Sequence, residues 1–264
     1  MHILVTNDDG IHAPGLLALA QAMQAIAERV TVLAPDHNWS ASGHVKTLHR
    51  PLRISETRLQ DGTPAWMTDG APSDCVALAQ LGFITEEIDL VVSGINPNAN
   101  IGHDVTYSGT VTAVMEGAIR GIPGVALSLD RPDDLTGEVD YHPAANIAAI
   151  IVRWMQAQTD LPEDTILNVN VPYGPISSMN GFKITRQGLR IYRDALLPLV
   201  DPRGHPYYWI GGEAPTAVDE PGTDYGALTA GCVSITPIQL DMTSQTMQNW
   251  LKSREIEKNL ALDE

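Results

Sequence analysis

Two adjacent aspartates, Asp8 and Asp9, follow the first apolar segment of the chain. Residues His2 to Thr6 are apolar and rich in β-branched side chains, which predicts a buried strand, and Pro14 to Met23 has the pattern of a helix. The pair therefore lies at the end of the first strand of a β-turn-α unit, the usual ligand crevice of a doubly wound sheet. Adjacent carboxylates repel each other, so Mg²⁺ or Mn²⁺, which prefer oxygen ligands, would be the simplest occupant. An ordinary polar turn is the alternative.

Side chains that carry oxygen also stand at three later places, after two predicted strands and at the start of one predicted helix. Strands are predicted at 29–34 and 88–93, and a helix begins near residue 107. The residues at these places are Asn38, Ser40 and Ser42, then Asn96, Asn98 and Asn100, and finally Ser108 and Thr110 on either side of Gly109. Loops that follow parallel strands meet at one edge of the sheet, so one site is expected there. Carboxylate, hydroxyl and amide oxygens suit Mg²⁺, Mn²⁺ or Ca²⁺ rather than a metal that prefers thiolates.

The run Ser108-Gly109-Thr110 indicates a place for an anion. Small residues at a helix start expose backbone N–H groups and the positive end of the helix dipole, which can bind phosphate. An ordinary helix cap is the alternative. The sequence has no GxGxxG turn after the first strand, no Walker A lysine and no G-x-S-x-G turn, which argues against dinucleotide, P-loop and serine-hydrolase sites. A haloacid-dehalogenase-like phosphatase needs an Asp-x-Asp motif with a nucleophilic aspartate. Asn7 occupies the first place of that spacing, which argues against this class.

The elements that must position these residues alternate along the first two-thirds of the chain. Strands are expected at 2–6, 29–34, 47–55, 65–68, 88–93, 125–129 and 165–171, and helices at 14–23, 70–81, 107–120 and 142–157. This order predicts an α/β fold with a Rossmann-like, mostly parallel sheet flanked by helices on both faces. Residues 1–173 are interpreted as the Rossmann-like catalytic core.

The chain changes character after Gly174. Up to about Gly226 it is rich in Pro, Gly, Tyr and Asp, which predicts a β-hairpin excursion and long loops, before a strand at 232–236 and a terminal helix at 243–257. We interpret residues 174–264 as a hairpin and C-terminal oligomerisation region of the same single domain. The aromatic run Tyr207-Tyr-Trp-Ile210 needs a partner surface, so at least a homodimer is expected.

Composition limits the classes of function. The 264 residues include 32 Asp and Glu against 16 Lys and Arg, a net charge of −16 that repels polymeric nucleic acid but permits a small, metal-held phosphate ester. Cys75 and Cys232 lack metal-site spacing and are interpreted as reduced core residues. No segment is apolar enough to span a membrane and no signal peptide is evident, so a soluble, cytoplasmic protein is expected.

Five motifs lie in order along the chain. They are Val5-Thr-Asn-Asp-Asp-Gly10, Ala34-Pro-Asp36 with Asn38 and Ser40, Ser93-Gly-Ile-Asn96, Asp104-Val-Thr-Tyr-Ser-Gly-Thr110 and Val233-Ser-Ile-Thr-Pro237. Together they resemble the SurE family of stationary-phase survival proteins, which act as 5′/3′-nucleotidases. The resemblance implies one divalent metal ion per subunit, Mg²⁺ or Mn²⁺, held by Asp8, Asp9, Ser40 and Asn96. It also implies a homodimer or homotetramer in which C-terminal elements, including the terminal helix, are exchanged between subunits.

The expected function is metal-dependent hydrolysis of nucleoside 5′- and 3′-monophosphates, with another small phosphomonoester or polyphosphate as the alternative substrate. Asp8 and Asp9 are the predicted catalytic residues, with Asp9 as a further ligand or a proton relay. The predicted substrate- and phosphate-binding residues are Asn38, Asn96, Ser108, Gly109 and Thr110. Gln239 stands where several relatives carry a histidine, and glutamine cannot donate a titrating proton, so the proton donor to the leaving group stays open.

Overall fold

A sheet of nine strands forms the centre of the computed structural model, which describes residues 1–162 and 164–260. The strands of this sheet are β1 (His2–Thr6), β2 (Arg29–Pro35), β3 (Ile54–Arg58), β4 (Pro64–Thr68), β5 (Leu90–Asn96), β6 (Gly124–Asp130), β7 (Ile166–Pro172), β8 (Phe182–Ile184) and β11 (Val233–Ile238), while β9 (Arg190–Val200) and β10 (Pro206–Ala217) form a separate hairpin. The helices are α1 (Pro14–Gln24), α2 (Pro72–Leu78), α3 (Gly109–Ala118), α4 (His142–Gln156), α5 (Asp224–Thr229), α6 (Gln245–Ser253) and α7 (Ile256–Asn259). A π-helical turn (Ala79–Phe83) continues α2, and 3₁₀ turns lie at Gly102–Thr106 and Ile176–Ser178.

The strand order places the end of β1 at the topological switch point of the sheet. The order is β3-β4-β2-β1-β5-β6-β7-β11-β8, and β1 pairs in parallel with β2 on one side and with β5 on the other. The connection from β1 to β2 through α1 therefore lies on one side of β1, and the connection from β5 to β6 through α3 lies on the other. Ligand crevices of doubly wound sheets open at such a point, at the carboxyl ends of the strands.

Both faces of the sheet are covered because alternate strand residues pack against different helices. Ile3 and Val5 belong to the core formed with α1 and α4, whereas Leu4 belongs to the core formed with α2 and α3. A continuous apolar run is what a parallel strand with two covered faces requires. Gly15 allows α1 to approach β5 closely, since a Cβ there would lie 2.3 Å from the backbone oxygen of Ile95.

The predicted Rossmann-like α/β fold is confirmed, with two local corrections. Residues 47–55, expected as a strand, contain only the first two residues of β3. Pro51 has no N–H to donate to a sheet, and Asp74 accepts hydrogen bonds from both the backbone N–H and the hydroxyl of Thr47, at 2.9 and 2.7 Å. Helix α5 begins inside the stretch expected to contain only hairpins and loops, where the Thr223 side chain caps its first turn.

The hairpin of β9 and β10 stands apart from the main sheet, and its apolar side chains are exposed. Ile210 is 82% exposed, and Leu196, which lies opposite it, is 64% exposed. By contrast, β11 returns to the main sheet and pairs with β7 and β8. The exchange of the terminal helix between subunits stays a prediction. Across the described ranges, no helix has the length and apolar character needed to cross a membrane.

Asp224 links the base of the hairpin to the loop after β5. Its side chain is fully buried and accepts hydrogen bonds from the backbone N–H groups of Gly102, Gly188 and Tyr225, at 2.7, 2.8 and 2.8 Å. The 3₁₀ turn that begins at Gly102 leads towards α3. A buried carboxylate with this many charge-assisted hydrogen bonds fixes the segments that it joins.

We expect Asp224→Ala to lower the free energy of unfolding by about 3 kcal/mol or more, because three buried N–H groups lose a charged acceptor. Urea titration of the purified variant measures this loss. Asp134→Ala, in an exposed loop, is the matched control and is expected to stay within about 0.5 kcal/mol of wild type. A loss below about 1 kcal/mol in Asp224→Ala would show that the segments are held by other contacts.

Candidate active site

Asp8 lies directly after β1 and is almost fully buried, with 3% of its surface exposed. Its Oδ1 accepts a hydrogen bond from the hydroxyl of Thr110 at 2.6 Å. Gly109 packs against the same side chain, and a Cβ on Gly109 would come within 2.7 Å of the Asp8 Cβ. Glycine permits this approach, so the end of β1 and the first turn of α3 form one site.

The start of α3 stabilises the Asp8 carboxylate. Burial raises the pKa of Asp8, and hydrogen bonds from the Thr110 hydroxyl and from the backbone at Gly109 and Thr110 oppose part of that effect. The positive end of the helix dipole acts in the same direction as these hydrogen bonds. Ser108 accepts a hydrogen bond from the N–H of Val111 at 3.2 Å and caps the helix. The helix start expected to bind phosphate therefore already faces an anionic side chain, and one of its N–H groups is already bonded to Ser108.

Asp9 is half-buried and carries the second carboxylate. The side-chain amide of Asn38 donates a hydrogen bond to its Oδ1 at 3.3 Å. Burial, and after it the charge of Asp8, raises the pKa of Asp9 to about 7. Neither aspartate forms an ion pair with a lysine or arginine in the part of the chain that the structure describes. The repulsion between the two carboxylates is therefore left without a compensating cation from these residues.

The loop after β2 brings Asn38 and Ser40 beside the aspartates. The N–H of Trp39 donates to the backbone oxygen of Asp8 at 2.7 Å, and the N–H of Ser40 donates to Oδ1 of Asn38 at 2.7 Å. Asn38 thus connects the Asp9 carboxylate with the backbone of Ser40. The position of the serine relative to the carboxylate pair is set by this chain of hydrogen bonds, although the serine itself is exposed.

A buried carboxylate on α3 holds the far end of the same loop. Glu116 accepts a hydrogen bond from Lys46 Nζ at 2.7 Å and lies 3.0 Å from His44 Nε2. Burial alone would raise the pKa of Glu116, but hydrogen bonds from His44 and Lys46 hold it below its usual value. No sequence motif indicated this cluster, although Lys46 is the only lysine before Lys183.

Asn96 ends β5 at the same edge of the sheet. The register of β1 and β5 pairs Thr6 with Ser93, so Asp9 and Asn96 each lie three residues beyond a paired position. Asn96 is half-buried, and its Nδ2 donates to the backbone oxygen of Asn98 at 2.5 Å. Over the described residues no hydrogen bond joins Asn96 to either aspartate, and its role as a ligand stays a prediction.

A cavity of about 390 Å³ opens beside Asp9. Asn38 lines it, and so do Pro97 and Tyr141, which no sequence motif singled out. Burial and the charge of Asp9 raise the pKa of the Tyr141 hydroxyl, whereas the charge of Arg131 lowers it, so both charges lie near this ring. The volume is within the range of small-molecule pockets.

The donor set fits a divalent cation that prefers oxygen. Within residues 1–162 and 164–260, no group of three or more His, Cys, Asp or Glu side chains is arranged to hold a metal ion. The carboxylates of Asp8 and Asp9 would therefore need neutral oxygen ligands, which the predicted Ser40 and Asn96 can supply. A cation would offset the burial that raises the pKa values of both aspartates, and also the charge of Asp8 that adds to the rise at Asp9.

Comparisons with known proteins agree with these motifs. The family described as survival protein SurE matches residues 3–194. A protein of Herpetosiphon aurantiacus named 5′-nucleotidase SurE is 51% identical over 244 residues, which cover 92% of this chain and 94% of the relative. A protein of Chloroflexus aggregans with the same name is 49% identical over 252 residues, which cover 96% of this chain and 97% of the relative. The crystal structure of the SurE protein from Aquifex aeolicus matches with a TM-score of 0.79 and 38% identity, covering 97% of this chain and 100% of that one. The chain belongs to the SurE family.

Proposed function

We propose that the protein is a 5′-nucleotidase, a divalent-metal-dependent phosphomonoesterase that releases phosphate from nucleoside monophosphates. The observation that carries this proposal is the Asp8–Asp9 pair, which lies at the switch point of the sheet beside a cavity and forms no ion pair with a lysine or arginine among the described residues. Two relatives that cover more than nine-tenths of the chain are named 5′-nucleotidase SurE, which supports the choice of substrate. Action on 3′-monophosphates is part of the same proposal.

The proposed cofactor is one divalent ion per subunit, Mg²⁺ or Mn²⁺, with Asp8, Asp9, Ser40 and Asn96 as its ligands. When bound, such an ion supplies a Lewis acid for the oxygens of phosphate and water. The preference for these ions follows from a donor set that contains only oxygen.

The side chains around the ion orient charge and substrate. Thr110 and the first turn of α3 hold the Asp8 carboxylate in one position, and Asn38 orients Asp9, which is either a further ligand or a proton relay. The proposed phosphate contacts are Asn38, Asn96, Ser108, Gly109 and Thr110. Gln239 is exposed and donates to the backbone oxygen of Asp241 at 3.4 Å, and its amide cannot be the acid that protonates the leaving oxygen.

We further propose that the hairpin of β9 and β10 forms an interface in a homodimer or homotetramer. Its exposed apolar side chains make a surface that monomers rarely leave in water. Helix α6 contains no buried residue, and its Met247 and Trp250 are 53% and 52% exposed, which supports an exchange of the terminal helix between subunits. In this proposal residues 174–264 are the oligomerisation region of a single domain whose catalytic core is 1–173.

Removal of divalent metal is expected to abolish phosphatase activity. Protein treated with EDTA should lose turnover of AMP and UMP, and should regain it with Mn²⁺ or Mg²⁺, because the ligand set is all oxygen. Parallel assays with ribose 5-phosphate, glycerol 2-phosphate and polyphosphate decide whether nucleotides are the preferred substrates. Full activity in excess chelator, with no metal found by elemental analysis, would refute the metal requirement.

Asp9→Asn is expected to lower kcat for AMP at least about a hundredfold while stabilising the metal-free fold. The pKa of Asp9 is about 7 in the folded protein against 3.8 as its ordinary value, so the ionised carboxylate weakens the fold at high pH. The gain in unfolding free energy, about 2 kcal/mol at pH 8 after allowance for solvent screening, should disappear as the pH falls towards 4.

Urea unfolding of the metal-free proteins at several pH values measures this gain, with Asp36→Asn as the control. Asp36 lines the same cavity but is exposed, and its contact with His37 lies at the surface, so its variant should stay within about 0.5 kcal/mol of wild type in stability. Equal stability of Asp9→Asn and wild type at pH 8 would mean that the carboxylate pair costs no free energy.

Ile210→Glu is expected to reduce the assembly to monomers without weakening the isolated subunit, because this side chain is already exposed in the hairpin. Light scattering of the purified variant gives its mass. Leu48→Glu, which replaces a residue that is 85% exposed outside the hairpin, is the control and should leave the mass unchanged. A monomeric wild-type protein at assay concentration would overturn the interface proposal.

A further inference from the structure

A second cavity, of about 700 Å³, adjoins the carboxylate site. Asn96 at the end of β5 lines this second cavity, whereas the next residue, Pro97, lines the cavity beside Asp9. We call the second one the Asn96 cavity. Its other walls come from the segment after β5, from the end of β6 and the loop after it, from the base of the hairpin and from α5. They include Asp104, Asp130, Arg131, Arg190, Ala214 and Thr216.

Arg131 directly follows β6 and has an unused donor. Its Nε is buried and has no hydrogen-bond partner in the part of the chain that the structure describes. Its charge also acts on the hydroxyl of Tyr141, as the charge of Asp9 does, so it lies near the carboxylate site. A buried polar atom without a partner costs free energy. The unused Nε therefore indicates an acceptor that a ligand supplies.

The second arginine of the cavity is already paired. Arg190 Nε lies 2.9 Å from Oδ2 of Asp104 in an ion pair that lacks a well-directed hydrogen bond, and the hydroxyl of Tyr192 donates to the other carboxylate oxygen at 2.5 Å. These contacts fix the wall of the cavity where β9 begins. Arg131, by contrast, forms no ion pair with the residues that the structure describes.

The charges of the Asn96 cavity indicate the class of ligand. Three carboxylates, those of Asp104, Asp130 and Asp133, outnumber the two guanidinium groups, which disfavours a second phosphate group. Carboxylates and amide oxygens accept hydrogen bonds, while guanidinium and amide N–H groups donate them. A neutral molecule with donors and acceptors on several edges, such as a base attached to ribose, matches this mixture. The volume also lies within the range of small-molecule pockets.

We propose that the Asn96 cavity binds the nucleoside part of the substrate, with Arg131 donating a hydrogen bond to an acceptor of the base or ribose. This inference rests on the nucleotidase activity proposed above, since it places the nucleoside next to a phosphate at Asp8 and Asp9. It makes Arg131 a specificity-determining residue. Because Ala214 and Thr216 belong to β10, a nucleoside in this cavity would also contact the base of the hairpin.

The test compares Arg131→Gln with Arg153→Gln, which changes an exposed arginine on α4. We expect Arg131→Gln to raise the KM for AMP about tenfold, the effect of losing one hydrogen bond to a charged donor. Its kcat for AMP, and both constants for glycerol 2-phosphate, should stay within about twofold of wild type. Arg153→Gln should match wild type with both substrates. Ala214→Trp, which fills the cavity from an exposed position, should produce the same selective rise in KM.

Binding of adenosine alone tests the cavity independently of catalysis. Saturation-transfer NMR should show adenosine bound to wild type and to Arg153→Gln, and bound much more weakly to Arg131→Gln and Ala214→Trp. If wild type fails to hydrolyse AMP yet binds adenosine in this pattern, the nucleotidase proposal fails and the nucleoside site stands. If wild type hydrolyses AMP but neither cavity variant changes the KM or adenosine binding, the nucleoside lies elsewhere and this inference is wrong.

Discussion

The arrangement of the site depends on the electrostatic cost of holding two carboxylates together at the end of β1. Asp8 is buried and Asp9 is half-buried, and each has a raised pKa because the protein removes water from it. Thr110 and the helix start reduce that cost at Asp8 but supply no full positive charge. The fold therefore presents a place where a divalent cation would bind favourably, and the free energy that this cation would recover is the physical basis of the proposed metal dependence.

The rest of the structure holds that pair in register with its neighbours. Gly109 allows α3 to reach Asp8, while Glu116 on the same helix holds the loop that carries Asn38 and Ser40. Asp224 fixes Gly102, ahead of α3, to the base of the hairpin. One helix thus receives contacts from the carboxylate pair, from the loop after β2 and, through the preceding turn, from the hairpin. This connection is a physical route by which the proposed assembly through the hairpin would affect the site.

Much of the fold could be predicted because local patterns determine it. The apolar runs at 2–6 and 125–129 match β1 and β6 closely, since strands covered on both faces have to be continuously apolar. The strand expected at 88–93 overlaps β5 only at 90–93, because β5 begins at Leu90 and continues to Asn96. The strand expected at 47–55 was wrong because contacts from Asp74, a residue distant in sequence, hold Thr47 outside any sheet. Local patterning does not encode such contacts.

The same limit applies to the candidate site. Asp8, Thr110 and Asn38 could be selected as polar residues at predicted strand or helix ends, and the structure brings them together. The hydrogen bond between Asp8 and Thr110 spans 102 residues, so its existence follows from the sheet order and not from either motif alone. Glu116, Arg131 and Tyr141 carry no motif, and their positions near the site emerge only from the packing of α3, β6 and the loop before α4.

Titration calorimetry with Mn²⁺ on the metal-free protein at pH 7, repeated in buffers of different ionisation enthalpy, tests whether Asp8 and Asp9 form the metal site. We predict one ion per chain, with release of a fraction of a proton, because the pKa of Asp9 lies near the pH of the titration and the bound ion favours its ionised form. Asp8→Asn should bind Mn²⁺ at least about a hundredfold more weakly than wild type. Binding of equal strength in wild type and Asp8→Asn, or no binding to wild type, would contradict the assignment of the carboxylate pair as the metal site.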